Sequence, residues 1–222
     1  MRLAHPELET VLKLDEADAV PSLVIENRRF FREFLQDIYD QLEGKDGKTV
    51  LSLADKPVPF SKNAELIDSV TGFSVNQKGV LNKILAALEK DAVRGEHYMR
   101  TCELLQAMEE YVFSLTQDFT ADLICGKLGI ASVLKGVGLT VNEEGSGTLE
   151  RFLDYMELVR EFDREKLFIF VNLRSYFTDE ELIPFLETAL AHEYRLLLID
   201  GAANERLPME KRLTIDSDLC EF

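Results

Sequence analysis

The sequence predicts an α/β protein: a split head with a mainly parallel sheet, plus an inserted α-helical lobe. Three observations carry that prediction. Leu167, Phe168, Ile169, Phe170 and Val171 form an unbroken apolar run ending in Asn172, and Leu196, Leu197, Leu198 and Ile199 form a second ending in Asp200. Neither run alternates, so each strand must be covered on both faces, as in a parallel sheet flanked by helices. Between them Thr178 and Glu181 fit a capping box, and Leu182, Phe185, Leu186, Ala189 and Leu190 share one helix face. Lys166–Asp200 is thus a βαβ crossover of the usual right hand, with a local bend expected at Pro184. The third observation is that strand signals nearly vanish between Gly72 and Lys166, where helical spacing takes over. The head therefore spans residues 1–75 and 165–222, and the lobe residues 76–164.

In chain order, Thr10–Leu14 and Ser22–Glu26 read as short strands joined by the turn region Asp15–Pro21. The second leads directly into a helix from Asn27, a plausible N-cap, to Leu42, with Phe30, Phe31, Phe34, Leu35, Ile38 and Leu42 at helical spacing. A nucleotide-binding α/β protein carries its glycine loop at this junction, which here reads Glu26-Asn27-Arg28-Arg29 without a glycine. The following Gly44-Lys45-Asp46-Gly47-Lys48-Thr49 imitates a Walker A loop, yet it has two residues between its glycines where four are needed. It also leads into the strand-like Val50–Leu53 and not into a helix. A plain helix-to-strand turn is the reading. Ala64–Ile67 is a further short strand.

In the lobe, Val80, Leu81, Ile84, Leu85 and Leu88 mark one helix, and Leu149, Phe152, Met156 and Val159 another. Between them Tyr98, Cys102, Leu105, Met108, Val112, Leu115 and Phe119 form a seam of period 3.5, which serves internal packing or a subunit contact.

Composition narrows the function. The chain has 222 residues, 14 Phe, 6 Tyr, no Trp and a formal charge of −16. No stretch approaches the roughly 18 consecutive apolar residues of a membrane helix. The leading MRLAHPELE lacks the apolar core of a secretory signal, and Cys102, Cys125 and Cys220 are widely spaced without a CxxC. These features predict a soluble, reduced, cytoplasmic protein without a zinc site. The acidic balance argues against a general nucleic-acid coat and confines any such surface to a local basic patch.

Catalytic groupings are absent from the sequence: there is no HExxH and no GxSxG, and His5, His97 and His192 are scattered. Asp200 imitates a Walker B carboxylate, but without a phosphate loop it reads as a loop-capping residue. Asp118 and Asp122, four apart, offer a hard cation two carboxylates that Glu143 or Glu144 could supplement, although a solvated acidic face is the simpler account of them. The basic residues are less even. Lys78, Lys83, Lys90, Arg94 and Arg100 outnumber Glu89, Asp91 and Glu96 between Asn76 and Arg100, and Lys127 and Lys135 recur in the same lobe. They form either a surface that tracks phosphates or an ordinary solvated helix face.

Several segments taken together resemble the small accessory protein of type II-A CRISPR adaptation modules. They are LVIEN with its helix (Leu23–Leu42), GFSVNQ (Gly72–Gln77), LFIFVN with YFTDEE (Leu167–Glu181), YRLLLID (Tyr194–Asp200) and RLTIDSDLCEF (Arg212–Phe222). Their order and spacing span nearly the whole chain. The resemblance implies a non-enzymatic protein: an α/β head shaped like a P-loop ATPase but without a working P-loop, and a helical lobe. It implies a homotetrameric ring whose positively lined hole encloses double-stranded DNA and favours free ends. It also implies calcium-supported assembly, no nucleotide, and action beside the CRISPR integrase proteins and effector nuclease in spacer acquisition. Lys78, Lys83, Lys90, Arg94, Arg100, Lys127 and Lys135 are then the DNA-binding candidates. Relatives carry a dense acidic cluster after the long helix; DFTADLICGK (Asp118–Lys127) retains Asp118 and Asp122 as candidate calcium ligands. Arg174, just past Asn172, stands where relatives have small neutral residues, and its role is open. The rival readings are a nucleotide-dependent enzyme on a degenerate P-loop-like head, and a protein-docking module that does not touch DNA.

Overall fold

A computed structural model describes residues 1–121 and 123–222. By contact density the chain forms two compact units, Met1–Phe73 with Gly145–Phe222, and Ser74–Glu144.

The first unit holds two sheets. A four-stranded antiparallel sheet consists of β1 (Arg2–Ala4), β2 (Leu12–Lys13), β4 (Val50–Leu53) and β5 (Lys56–Val58), in the order β2-β1-β4-β5. A five-stranded sheet consists of β3 (Val20–Ile25), β6 (Ala64–Ile67), β7 (Leu167–Val171), β8 (Arg195–Asp200) and β9 (Glu210–Ile215), in the order β6-β7-β8-β3-β9, with every neighbour parallel. The fold is α/β, as the two non-alternating runs predict. All five residues of β7 are buried, which is what a strand covered on both faces requires.

Two layers of helix provide that cover. On one face Leu167, Ile169, Leu197, Ile199, Leu23, Ile25, Leu213 and Ile215 join a core with Phe30, Phe34 and Ile38 of α1 (Arg28–Leu42). Leu3, Leu12 and Leu51 of the antiparallel sheet and Phe60 of the short α2 (Phe60–Asn63) enter the same core. On the other face Phe170 meets Phe152 of α6 (Thr148–Phe162) at 5.1 Å and Phe185 of α7 (Asp179–Ala191) at 5.8 Å between ring centroids. Edge-to-face pairs of this kind add to the area they bury. Although the neighbours of α6 in sequence are helical, its aromatic stripe makes it part of the head's second layer.

Local chemistry sets the helix ends. The Asn27 side chain accepts from Phe30 N–H at 3.0 Å and starts α1. The N–H of Thr178 donates to the Glu181 carboxylate at 2.8 Å, and α7 runs unbroken through Pro184. Antiparallel β1 and β5 and parallel β9 are what the sequence pattern did not reveal, since three-residue strands carry no periodicity and β9 mixes Lys211 and Arg212 with Leu213 and Ile215.

The second unit carries α3 (Lys78–Ala92), α4 (His97–Thr116) and α5 (Ile130–Val137). Its entry loop is fixed by Glu143, whose carboxylate accepts from Ser74 Oγ at 2.8 Å, from Asn76 N–H at 3.2 Å and from Val75 N–H. Asn76 in turn bridges the backbone of Val141 through both its side-chain atoms, at 3.0 and 2.6 Å. Among the described residues no helix is long and apolar enough to cross a membrane.

Candidate nucleic-acid interface

All seven basic residues singled out in the sequence are exposed. Lys83 and Lys90 lie seven apart on α3, hence on one face and about 10 Å apart along its axis. Among the described residues no ion pair engages Lys78, Lys83, Lys90, Arg94, Lys127 or Lys135, whereas Arg100 is paired with Glu103 at 3.2 Å. Lys135 sits in the last turn of α5, where a cation suits the helix dipole, and lines a crevice of about 340 Å³ with Asn82 and Glu89 of α3. Lys78 occupies the first turn of α3, against the dipole. The segment bearing Lys127 is held to α4 by a bond from Leu128 N–H to the Glu109 carboxylate at 2.8 Å. The structure therefore assembles Lys83 and Lys90 on one face and Lys135 on the neighbouring helix, while Arg100 is already paired.

The 3.5-period seam runs along α4 from Tyr98 to Leu115, with Phe119 three residues beyond the helix, and only Thr101 of α4 is buried among the described residues. Tyr98 is 50 % exposed, Leu115 52 % and Phe119 64 %. Of the candidate calcium ligands, Asp118 follows α4 and is exposed, and Asp122 lies outside the described residues. Glu143 is occupied by the Ser74–Asn76 loop, and among the described residues no group of three or more His, Cys, Asp or Glu is placed to hold a metal ion.

In the head, the corner where α/β sheets place ligands is tied up by the protein itself. Asn172 takes a left-handed conformation (φ 52°) and its side chain accepts from Gly201 N–H at 2.9 Å. Arg174, whose role the sequence left open, is buried: it donates to Asp179 at 2.7 Å, to Glu210 at 3.3 Å and to the Glu205 carbonyl at 2.5 Å. Arg212 reaches the same Glu210 at 2.8 Å and the Asn204 carbonyl at 2.6 Å. The two arginines thus strap the 201–209 loop across the sheet face over β3 and β9. Asp200 beneath is 4 % exposed, and burial pushes its pKa up to about 6, opposed by Arg174 and Arg212 and reinforced by Glu210.

Both junctions where a phosphate loop would sit use some of their donors internally. The Asn27 side chain caps α1 and also donates to Ser217 O at 2.8 Å. At the GKT turn, Lys48 N–H and Thr49 N–H both donate to Asp37, at 2.7 and 2.8 Å. The Arg174–Glu210–Arg212 network escaped sequence reasoning because its members are far apart in the chain. The one visible signal was a charged residue three positions past a buried strand.

These features define an α/β protein with an all-parallel sheet, a ligand corner closed by its own ion pairs and a separate helical unit whose lysines make no ion pair among the described residues. A family model described as "CRISPR-associated protein (Cas_Csn2)" matches residues 41–219, and the chain belongs to that CRISPR-associated family. It is 22 % identical over 207 residues to the "CRISPR-associated protein Csn2" of Enterococcus faecalis, covering 90 % of each chain.

Proposed function

We propose that the protein binds double-stranded DNA ends without regard to sequence during CRISPR spacer acquisition. It does so as a homotetrameric ring, without catalysis of its own, beside the integrase proteins and effector nuclease. The observation that carries the reading is the pair Lys83 and Lys90: exposed, on one face of α3 and without ion-pair partners among the described residues. Point charges so spaced attract phosphates and read no bases. Self-assembly is supported by α4, whose exposed Tyr98, Met108, Val112 and Leu115 follow a coiled-coil spacing that a second copy would cover. Repetition in a ring also answers the charge of −16, because copies of a modest basic patch facing one hole concentrate positive potential while the outside stays acidic. Calcium, with Asp118 and Asp122 among its ligands, would support that assembly.

The experiment is duplex binding across a salt series. Lys83→Gln with Lys90→Gln should lower the slope of log affinity against log salt by about 2 per protomer engaged. An unchanged slope and affinity would remove α3 from the interface.

A further inference from the structure

On the face of the five-stranded sheet turned away from α1, three strands bring polar side chains together. Register places Ser22 of β3 level with Leu198 of β8 and Arg212 of β9, so Ser22, Arg212 and, two residues further along β8, Asp200 share that face. Ser22, Asp200 and Glu210 are all buried. Their cover is an irregular segment, residues 201–209. From Ala202 to Arg206 every residue of it is exposed, and its one buried side chain is that of Leu207. What holds it is therefore mostly polar: Arg174 donates to Glu205 O, Arg212 to Asn204 O, Leu207 N–H to the Glu210 carboxylate at 3.0 Å, and Gly201 N–H to Asn172. A segment with so little apolar burial opens at a lower free energy than the strands beneath it.

The charges under this cover do not balance. Arg174 and Arg212 face Glu210 of β9 and Asp179 of α7, and an ionised Asp200 of β8 adds a third carboxylate, while β3 brings the uncharged Ser22. Burial holds the Asp200 pKa at about 6 against an ordinary 3.8, with Arg174 and Arg212 opposing and Glu210 reinforcing. Opening returns this carboxylate to water. The closed form therefore binds the proton more tightly than the open one, is favoured at low pH, and loses that advantage as pH rises through about 6. Glu210 acts with the opposite sign and at lower pH. Although burial pushes it up, Arg212 and the Leu207 N–H outweigh that and keep its pKa below the usual 4.5, so it stays ionised above pH 5.

We propose that residues 201–209 are a strap that opens on the otherwise folded head, and that ionisation of Asp200 favours the open form. Closed, the strap seals the ligand corner of the sheet with the chain's own carbonyls. Open, it presents the polar face of β3 and β9 to solvent. This device works without DNA and without assembly.

The test is amide hydrogen exchange followed by NMR in the full-length protein at pH 5 and pH 7.5, corrected for the intrinsic rate at each pH, with and without mild urea. Gly201 and Leu207 report on the strap, Ile169 and Leu197 on the core strands. In the native protein the strap amides should exchange faster than the core amides and almost independently of urea. Their opening constant should rise about tenfold from pH 5 to pH 7.5, as a pKa of about 6 closed and 3.8 open requires. Asp200→Asn should abolish that rise, with continued protection of Ile169 and Leu197 showing that the fold is kept. An opening constant that stays level between the two pH values, or a rise that persists in Asp200→Asn, overturns the coupling to Asp200. Strap amides that share the urea dependence of Ile169 and Leu197 overturn the strap itself, because it then opens only when the head unfolds.

Discussion

Replacing Asp200 with Asn should stabilise the head, and the gain should depend on pH in a definite direction. Around this carboxylate the strap network contains Arg174 and Arg212 against Asp179 and Glu210, two charges of each sign. An ionised Asp200 adds a third negative charge with almost no water to screen it. Its pKa stands at about 6 against an ordinary 3.8, about 2 units, which corresponds to about 3 kcal/mol as an upper bound. Because the folded-state pKa is raised, folding binds a proton. Asp200 therefore costs nothing below about pH 4, and its cost grows as pH rises through about 6. Asp200→Asn should match the native protein at pH 4 and exceed it by about 2–3 kcal/mol at pH 7.5, seen as a higher urea midpoint by about 1 M. A stability difference that is the same at both pH values would refute the reasoning.

Four further perturbations test other parts of the account. Arg174→Met leaves Glu210, a buried carboxylate, with one arginine in place of two. It should destabilise the head by about 3 kcal/mol and speed amide exchange in residues 201–209, whereas Arg174→Lys should not restore protection because an ammonium cannot span Asp179, Glu210 and Glu205 O. Leu197→Ala opens a cavity in a strand that is fully buried there and should cost about 2–5 kcal/mol in chemical denaturation. Asn27→Ala removes the cap on Phe30 N–H and the bond to Ser217 O, and should cost about 1 kcal/mol. Leu115→Lys on the exposed side of α4 should lower the mass in sedimentation while leaving the melting temperature of the dilute protein unchanged; a full-mass assembly would place the subunit contact elsewhere.

Where the physics is local, the sequence was readable. The apolar runs at Leu167–Val171 and Leu196–Ile199 could be satisfied only by cover on both faces, and the structure supplies α1 beneath and α6 with α7 above. Asn27, Thr178 and Glu181 announce their helix ends because capping depends on residues a few positions apart. The GKT turn could be dismissed on its spacing and on the strand that follows it, and Asp37 now supplies the reason it is ordered. What stayed hidden depends on distant partners. Nothing near Arg174 indicates Glu210, and nothing in Glu210–Ile215 indicates that it pairs with Val20–Ile25 from the other end of the chain. The lysines of α3 were visible as an excess, but only the helix showed that Lys83 and Lys90 share a face and lack partners among the described residues.

The central claim is end-dependent duplex binding by a ring. Its most direct measurement compares the affinity of the native protein for linear and covalently closed circular duplex of the same sequence, with and without calcium. The account predicts retention of the linear form, loss of that binding at high salt, and little retention of the circle. Equal retention of linear and circular DNA, or none of either at low salt, would contradict it.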